Sequence, residues 1–550
     1  MVFLGQPKGG PKVFTREATG LVREVSIWDA FWFNNWTTGG PATTIIWMST
    51  YPVWFPKANL VLALIITAIY SGFVGSMYVL IMVTMPRSGT DYVFVSRSLS
   101  PAIGLAFSLE MIFWIMMINS YNVYATFSVL SQALYSIGAM TGQFGLVSAW
   151  GAISGNTAAV LAIGLMIYLG CIAIVIFGLR RYMRFQLIAT ILSVIGLAII
   201  FVAGAIYTNQ DFVSNFNSVF GSMAASRDPY HDVINLAVSL GYTPPSGFDW
   251  NQTITVSALW YLISLAPMAS AWMGGEIKKA SNVKSQFIAM VGGQYFTMFL
   301  AAILVEIWLK LFSTDWLAAL GYLTINYPNK VPTWLAGASP YFVLPWINVT
   351  LNNAVLATIV SIAFIMQVLL FITPLIIAAS RHIFAWSFDR IIPTKLSEVN
   401  ERVHSPVLAV LVIGAMTMLG YVFTVYTTYL NFAVGAVLGW MFALVLISVA
   451  AIVFMWRRKD IYQLSIVSKL KFAGIPLMPL LGILSLGSML AMISYYVGPL
   501  SFTVGGFTNT VVEISFALFV IGIVGYYVSK TWQTRRGIPL ELVFKEIPPE

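Results

Sequence analysis

Twelve stretches of this chain are apolar over a length that crosses a bilayer, and two of them are interrupted near their middle. A bilayer core about 30 Å thick takes roughly 20 residues of helix, and backbone at that depth has no water to bond to. The runs lie at residues 26–50, 59–84, 103–135, 157–178, 185–207, 252–275, 286–312, 351–380, 405–425, 428–456, 476–498 and 510–530. With 59% hydrophobic and only 9% charged residues, against about 25% charged in an ordinary soluble domain, the chain reads as an all-α polytopic membrane protein. In the first run Asn34-Asn35-Trp36-Thr37-Thr38-Gly39-Gly40-Pro41 interrupts the apolar pattern, and in the sixth Ser264-Leu265-Ala266-Pro267-Met268 does so. Gly39 in the first break and Ser264 in the second lie roughly 13 residues into their runs, about 20 Å deep at 1.5 Å per residue. Irregular backbone at midplane depth is tolerated where it is buried in protein or lines a polar cavity, so a substrate site is expected at the paired breaks.

Charge orients the spans. The first 25 residues are polar and carry Lys8, Lys12, Arg16 and Arg23 without an apolar core, so a retained, inward N-terminus is expected rather than a cleaved leader. Counting alternate loops from there, every Lys and Arg except Lys57, Arg227, Lys310 and Lys330 falls on the inner side. This bias predicts an even number of spans with both termini cytoplasmic. The net charge of +9 is spread over inner loops rather than gathered in one groove, which points to anionic lipid and away from nucleic acid. Cys171 stands alone in an apolar run, and His231, His382 and His404 are assigned to loops, so neither a disulfide nor a metal site is expected. Two long outer loops, 208–251 and 313–350, are candidate lids or surface elaboration. Asn251 and Asn348 match the glycosylation tripeptide.

Three inner segments carry a resemblance. Met85-Pro-Arg-Ser-Gly-Thr-Asp-Tyr92 with Ser96-Arg97-Ser98-Leu99-Ser100-Pro101 follows span 2, and Gly275-Glu276-Ile277-Lys278-Lys279 follows span 6. The third runs from Ser380-Arg381-His382-Ile383-Phe384-Ala385 through Asp389-Arg390-Ile391-Ile392-Pro393 to Asn400-Glu401-Arg402-Val403-His404-Ser405-Pro406. Together they resemble the amino acid-polyamine-organocation (APC) permeases. The resemblance implies a LeuT-type fold with two inverted repeats, 26–207 and 252–456, and peripheral spans in 476–530. The segments 1–25, 208–251, 457–475 and 531–550 lie outside the membrane on this reading. It also implies alternating-access transport of amino acids or amines at the plasma membrane, coupled to protons or run by exchange, with no cofactor.

The expected substrate-binding residues are Thr37, Thr38, Gly39, Gly40, Ser264, Leu265 and Ala266 at the breaks, with Trp260 and Tyr261 before the second. Asn119 and Thr373 join them at positions that line the pocket in relatives. Half-helix N-termini suit a carboxylate and C-terminal carbonyls an ammonium group. Ala266-Pro267-Met268 departs from the Gly-aromatic-Glu triplet common in relatives, so that glutamate's roles do not carry over. Without an acidic residue at the centre, a neutral or apolar zwitterion is expected over a polyamine. A polyamine permease, or a membrane subunit or sensor that no longer transports, stays open. Glu110, inside span 3, is the proton-site candidate, beside the reading that it is neutralised structurally. Asp29 has capping-box spacing from Ser26; its other reading is a gate pair with Arg381. No group of residues suggests an enzyme.

Overall fold

The computed structural model describes residues 20–39, 41, 51–264, 266–336, 342–427, 429–501 and 508–548. The principal helices are α1 (Ile27–Thr37), α2 (Leu60–Thr84), α3 (Thr90–Ser98), α4 (Pro101–Met140), α5 (Thr157–Ile176), α6 (Leu179–Ile206), α7 (Asn209–Ala224), α8 (Pro229–Ser239) and α9 (Trp250–Trp260). They continue with α10 (Val283–Phe312), then α11 (Thr314–Asn326), α12 (Leu344–Leu351), α13 (Ala354–Phe388), α14 (Val407–Tyr426), α15 (Tyr429–Arg457), α16 (Leu477–Val497) and α17 (Thr508–Arg535). Ten of them, α2, α4, α5, α6, α10 and α13 to α17, are long and apolar enough to cross a membrane. The protein is an all-α polytopic membrane protein.

Local chemistry sets where the spans begin. Asn59, Ser100, Asn156 and Asn353 cap α2, α4, α5 and α13, each side chain accepting from a backbone N–H of the first turn. Such caps satisfy donors that lipid cannot. Pro101 follows Ser100 at the first helical position, where its missing N–H costs nothing. The 40-residue α4 is the central post, packed against α13, α14, α15 and α17. Close approach along it depends on small residues. A Cβ at Gly439 of α15 would lie 2.0 Å from the Trp114 ring, and one at Gly522 of α17 would lie 2.3 Å from the Ala106 backbone.

The two long loops are folded rather than open. Residues 208–251 form α7 and α8, and 313–350 include α11 and α12. Phe212, Tyr230 and Trp346 surround Trp316 at ring distances of 5.3, 5.6 and 5.2 Å, tying both loops into one aromatic cap. Asn348 is buried within it and donates to Ser136 and Ser361 at 2.9 and 3.1 Å. Its amide is therefore unavailable for glycosylation, whereas Asn251 is exposed. Lys310 of α10 donates to the Gly204 carbonyl of α6 at 2.6 Å.

Candidate functional site

The first expected break is where α1 ends. Ser26 and Asp29 form the capping box that starts this helix, with mutual bonds of 3.0 and 3.1 Å. Ten residues later the helix stops at Thr37, followed by a turn in which Gly39 takes φ 87°, a left-handed conformation suited to glycine. The Thr37 and Thr38 hydroxyls turn back onto the carbonyls of Phe33 and Asn35 at 2.5 and 2.6 Å. Both threonines are buried and sit at the break, with their hydroxyls occupied as caps. Gly40 and Leu265 lie outside the described residues.

The second break is a longer interruption than the sequence implies. After α9 the chain makes a 3₁₀ turn over Tyr261–Ser264, passes Ala266 and Pro267, and continues as 3₁₀ turns over Ala269–Trp272 and Gly274–Glu276. The expected second half-helix is thus absent here, and no α-helical N-terminus faces the site from residues 266–276. Pro267 packs toward Gly75 of α2, where an added Cβ would meet the proline Cβ at 3.5 Å. Asn34 joins the two breaks. Its Nδ2 donates to Ser270 Oγ and the Ala289 carbonyl at 2.8 and 2.9 Å, and its Oδ1 accepts from the Ser270 backbone at 2.8 Å. Ala289 lies in a π-helical turn, Ile288–Gly292, of α10. Next to it, Asn35 donates to Thr297 Oγ1 at 2.7 Å, leaving Asn35 Oδ1 buried with no hydrogen-bond partner. A buried acceptor in that state is costly unless a ligand or water completes it.

On the face holding both described ends of the chain, two buried ion pairs and a histidine–carboxylate contact close the bundle. Arg381 of α13 makes a fork on Glu276, Nε to Oε1 at 2.8 Å and the far nitrogen to Oε2 at 2.9 Å, and both side chains are 2% exposed. Arg97 of α3 makes a second fork on Asp389 at 2.6 and 2.8 Å, with the Tyr92 hydroxyl adding 2.9 Å. His382 Nε2 stands 2.9 Å from Asp91 Oδ1, and Asp91 Oδ2 accepts from Trp272 Nε1 at 2.7 Å. Behind the histidine, Ser108 Oγ is 3.0 Å from Nδ1 and accepts from Trp386 at 2.9 Å. Because the tryptophan can only donate, the serine proton is free to point at Nδ1, which puts the ring proton on Nε2, beside Asp91 but not aligned with it as a hydrogen bond. Ser, His and Asp stand in a row, with the two ring nitrogens exchanged relative to a serine-hydrolase triad. All three are buried among tryptophans, and the row acts as a strut between α3, α4, α13 and the span-6 turns.

Backbone contacts complete the clamp. Val25 donates to the Glu276 carbonyl and accepts from Lys278 at 3.0 and 2.9 Å, and Gly89 donates to the Trp272 carbonyl at 2.8 Å. A Cβ at Gly89 would press on Ala385 at 3.0 Å, and one at Gly274 would lie 2.6 Å from Thr90 Oγ1. The three inner segments noted in the sequence therefore meet, each supplying charge to the others. The amino acid permease family model matches residues 26–526, from the first residue of the α1 cap through most of α17. This chain belongs to the amino acid permease family, within the APC superfamily. It is a family of transporters of amino acids and organic cations rather than of enzymes. No curated protein matches the chain.

Within this permease the remaining sequence candidates separate. Trp260 is buried with its ring 4.7 Å from Tyr51 and its Nε1 without a hydrogen-bond partner. Ser264 donates to the Tyr261 carbonyl at 3.3 Å. Tyr261 points away, its hydroxyl 3.7 Å from Met489 of α16. Asn119 and Thr417 both stand beside Tyr168, which places Asn119 where α4 meets α5. Thr373 donates to Leu369 at 3.0 Å and stands beside Tyr182 of α6, whose ring packs on Phe33 of α1. Glu110 accepts from Trp114 at 2.8 Å, with Ser515 of α17 alongside and Oε2 unpartnered.

Two expectations are corrected. Asp29 does not pair with Arg381, because the capping box holds its carboxylate while Glu276 occupies the guanidinium. His382 is not in a loop, because α13 extends eight residues past its predicted end and carries it into the core. Asn34, Asn35, Ser270, Asp91 and Glu276, which join the breaks and the clamp, were not among the expected site residues. Asn34 and Asn35 were visible as polar residues in an apolar run, and Asp91 and Glu276 lay inside the motifs without a partner assigned. The buried side-chain amides of Gln132 on α4 and Gln367 on α13 also lack hydrogen-bond partners.

Proposed function

We propose that this permease is a secondary active transporter that moves a neutral or apolar amino acid across the plasma membrane by alternating access, with both termini cytoplasmic. The observation that carries this reading is the joining of the two interrupted segments by Asn34 and Ser270, beside the unpartnered Asn35 Oδ1. α1 and α9 both point C-terminal ends at this place, and such ends carry partial negative charge that suits an ammonium group. The buried clamp of Arg381–Glu276, Arg97–Asp389 and His382–Asp91 is the inner gate, shut in this arrangement. Glu110 is the proton-site candidate, a buried acid with one free oxygen.

The same pair of C-terminal ends favours a second substrate class. An amine without a carboxylate needs only the carbonyl ends, so an organocation is the alternative. Uptake of radiolabelled amino acids and polyamines into proteoliposomes, with and without a pH gradient, separates the two. Gradient-driven accumulation of a neutral amino acid, reduced by Asn34→Ala, supports the zwitterion. Accumulation of polyamines alone overturns it. For Glu110, Glu110→Gln is expected to abolish accumulation driven by the pH gradient while leaving counterflow exchange; unchanged accumulation removes it from the coupling path.

A further inference from the structure

At the foot of α5, α6 and α14, on the same face as the clamp but outside it, lies a cavity of about 350 Å³ lined by Arg180, Arg181, Arg184, Arg402 and His404, with Glu24 the one acid in its wall. None of these four arginines has an ion-pair partner among the described residues; Arg181 lies over the Phe177 ring at 5.5 Å. Elsewhere on this face two other bases are matched. Arg458 forks onto Asp460, which holds that carboxyl below its ordinary range, and Lys530 meets Glu541. The unmatched arginines also stand where cations are least welcome. Arg180, Arg181 and Arg184 occupy the first two turns of α6, whose N-cap, Gly178, offers no side-chain acceptor. The free N–H groups and the helix dipole already make that end positive.

The pocket has a fixed shape. A Cβ at Gly178 would fall 2.1 Å from the Val403 carbonyl oxygen, so the α5–α6 corner and the 400–406 loop are pressed together. That loop is folded on Asn400, which exchanges bonds with Ser405 and His404 and accepts from the Arg402 N–H at 3.0 Å. This brings Arg402 and His404 to face the α6 arginines. Directly beyond the arginines the surface becomes apolar and open, with Leu187, Ile188 and Ile191 of α6 at 56, 61 and 51% exposure and Phe177 at 52%. The cavity thus sits where a span enters the hydrocarbon, at the level of headgroup phosphates.

We propose that this pocket binds the phosphate of an anionic phospholipid headgroup, with the lipid's acyl chains lying along α6. Phosphate meets the geometry because several guanidinium groups can donate to its oxygens at once, and the helix N-terminus adds backbone donors. The flanking apolar surface selects a membrane lipid over free phosphate. The site is independent of which substrate the permease carries.

The test is native mass spectrometry of the purified full chain titrated with phosphatidylglycerol, phosphatidylcholine or inorganic phosphate. R180Q/R184Q/R402Q is compared with K278Q/K279Q/K284Q, which removes three exposed charges from the same face away from the pocket. Phosphatidylglycerol is expected to be retained by wild type and the lysine variant, and at least about tenfold more weakly by the arginine variant, given the contribution of each base near an anionic surface. Equal loss in both variants, or equal retention of phosphatidylcholine, overturns the proposal. Displacement of the lipid by millimolar inorganic phosphate overturns the lipid assignment. Should the arginine variant fail to fold, a photoreactive phosphatidylglycerol on wild type gives the answer. Crosslinks in peptides around 177–188 and 400–406 support the site, and crosslinks confined to other peptides refute it.

Discussion

Arg381 is a charge in the core of a membrane protein, 1% exposed, and its guanidinium is fully engaged by a carboxylate from another segment. A buried pair of this kind gains little over apolar packing, but removing one partner strands the other at a cost of about 3–5 kcal/mol. Glu276→Gln and Arg381→Gln are each expected to lower the melting temperature in detergent markedly. The double variant should lose less than the sum of the two. Strict additivity in that thermodynamic cycle would show that the fork contributes no coupling. Asp91→Asn should be similarly harmful, because Asp91 accepts from Trp272 on one oxygen and stands beside His382 with the other. At this scale the sequence was only half legible. The charged residues stood inside the motifs, yet nothing in their spacing says that residue 276 pairs with 381 or 91 with 382. Those partners are set by the folding together of segments about a hundred or more residues apart, and Asp29, assigned to Arg381 as an alternative, had a local partner in Ser26 three residues away.

Elements were more readable, because a span announces itself by length and apolarity, and a cap by Asn or Ser at its start. The ten continuous spans fall within a few residues of their expected positions apart from four extensions. α4 and α17 each run five residues past their predicted ends and α13 eight, while α6 starts six residues before its predicted beginning. In α13 and α17 these are places where polar side chains find partners inside the bundle and no longer mark a loop. The second half of span 6 was not readable: its small and polar residues, Ala269 to Gly275, settle into 3₁₀ turns held by α1, α3 and α13. Contacts between elements depend on absent side chains. Gly439→Ala would place a Cβ 2.0 Å from Trp114 and is expected to destabilise by about 1–3 kcal/mol through overpacking, read as a lower melting temperature. No change in melting would mean that Trp114 has room to turn away.

Across the whole molecule, two layers of polar structure are set in an apolar bundle. The upper layer is the joined breaks, where Asn34 and Ser270 hold irregular backbone and Asn35 keeps an acceptor free. The lower layer is the clamp, where the three motif segments neutralise one another. In the proposed alternating-access cycle the lower layer parts while the upper one holds substrate, and the population of the open state is then governed by the difference between clamp energy and substrate binding. The gate interpretation can be tested by solvent access. Cys171 is buried in α5, so after Cys171→Ser a single cysteine at Ser88, next to the clamp, reports on opening through its rate of alkylation. Ser88→Cys should react slowly without substrate and faster with it. A rate that ignores every transported substrate would remove the clamp from the transport cycle.

The most direct measurement is uptake of a radiolabelled neutral amino acid into proteoliposomes by wild type and by Arg381→Gln, with the variant shown to be folded by its elution as a single species. Wild type should accumulate substrate, and the variant should bind it but fail to accumulate it, because its inner gate no longer closes. Uptake by the variant at the wild-type rate would contradict the claim that the ionic clamp gates transport.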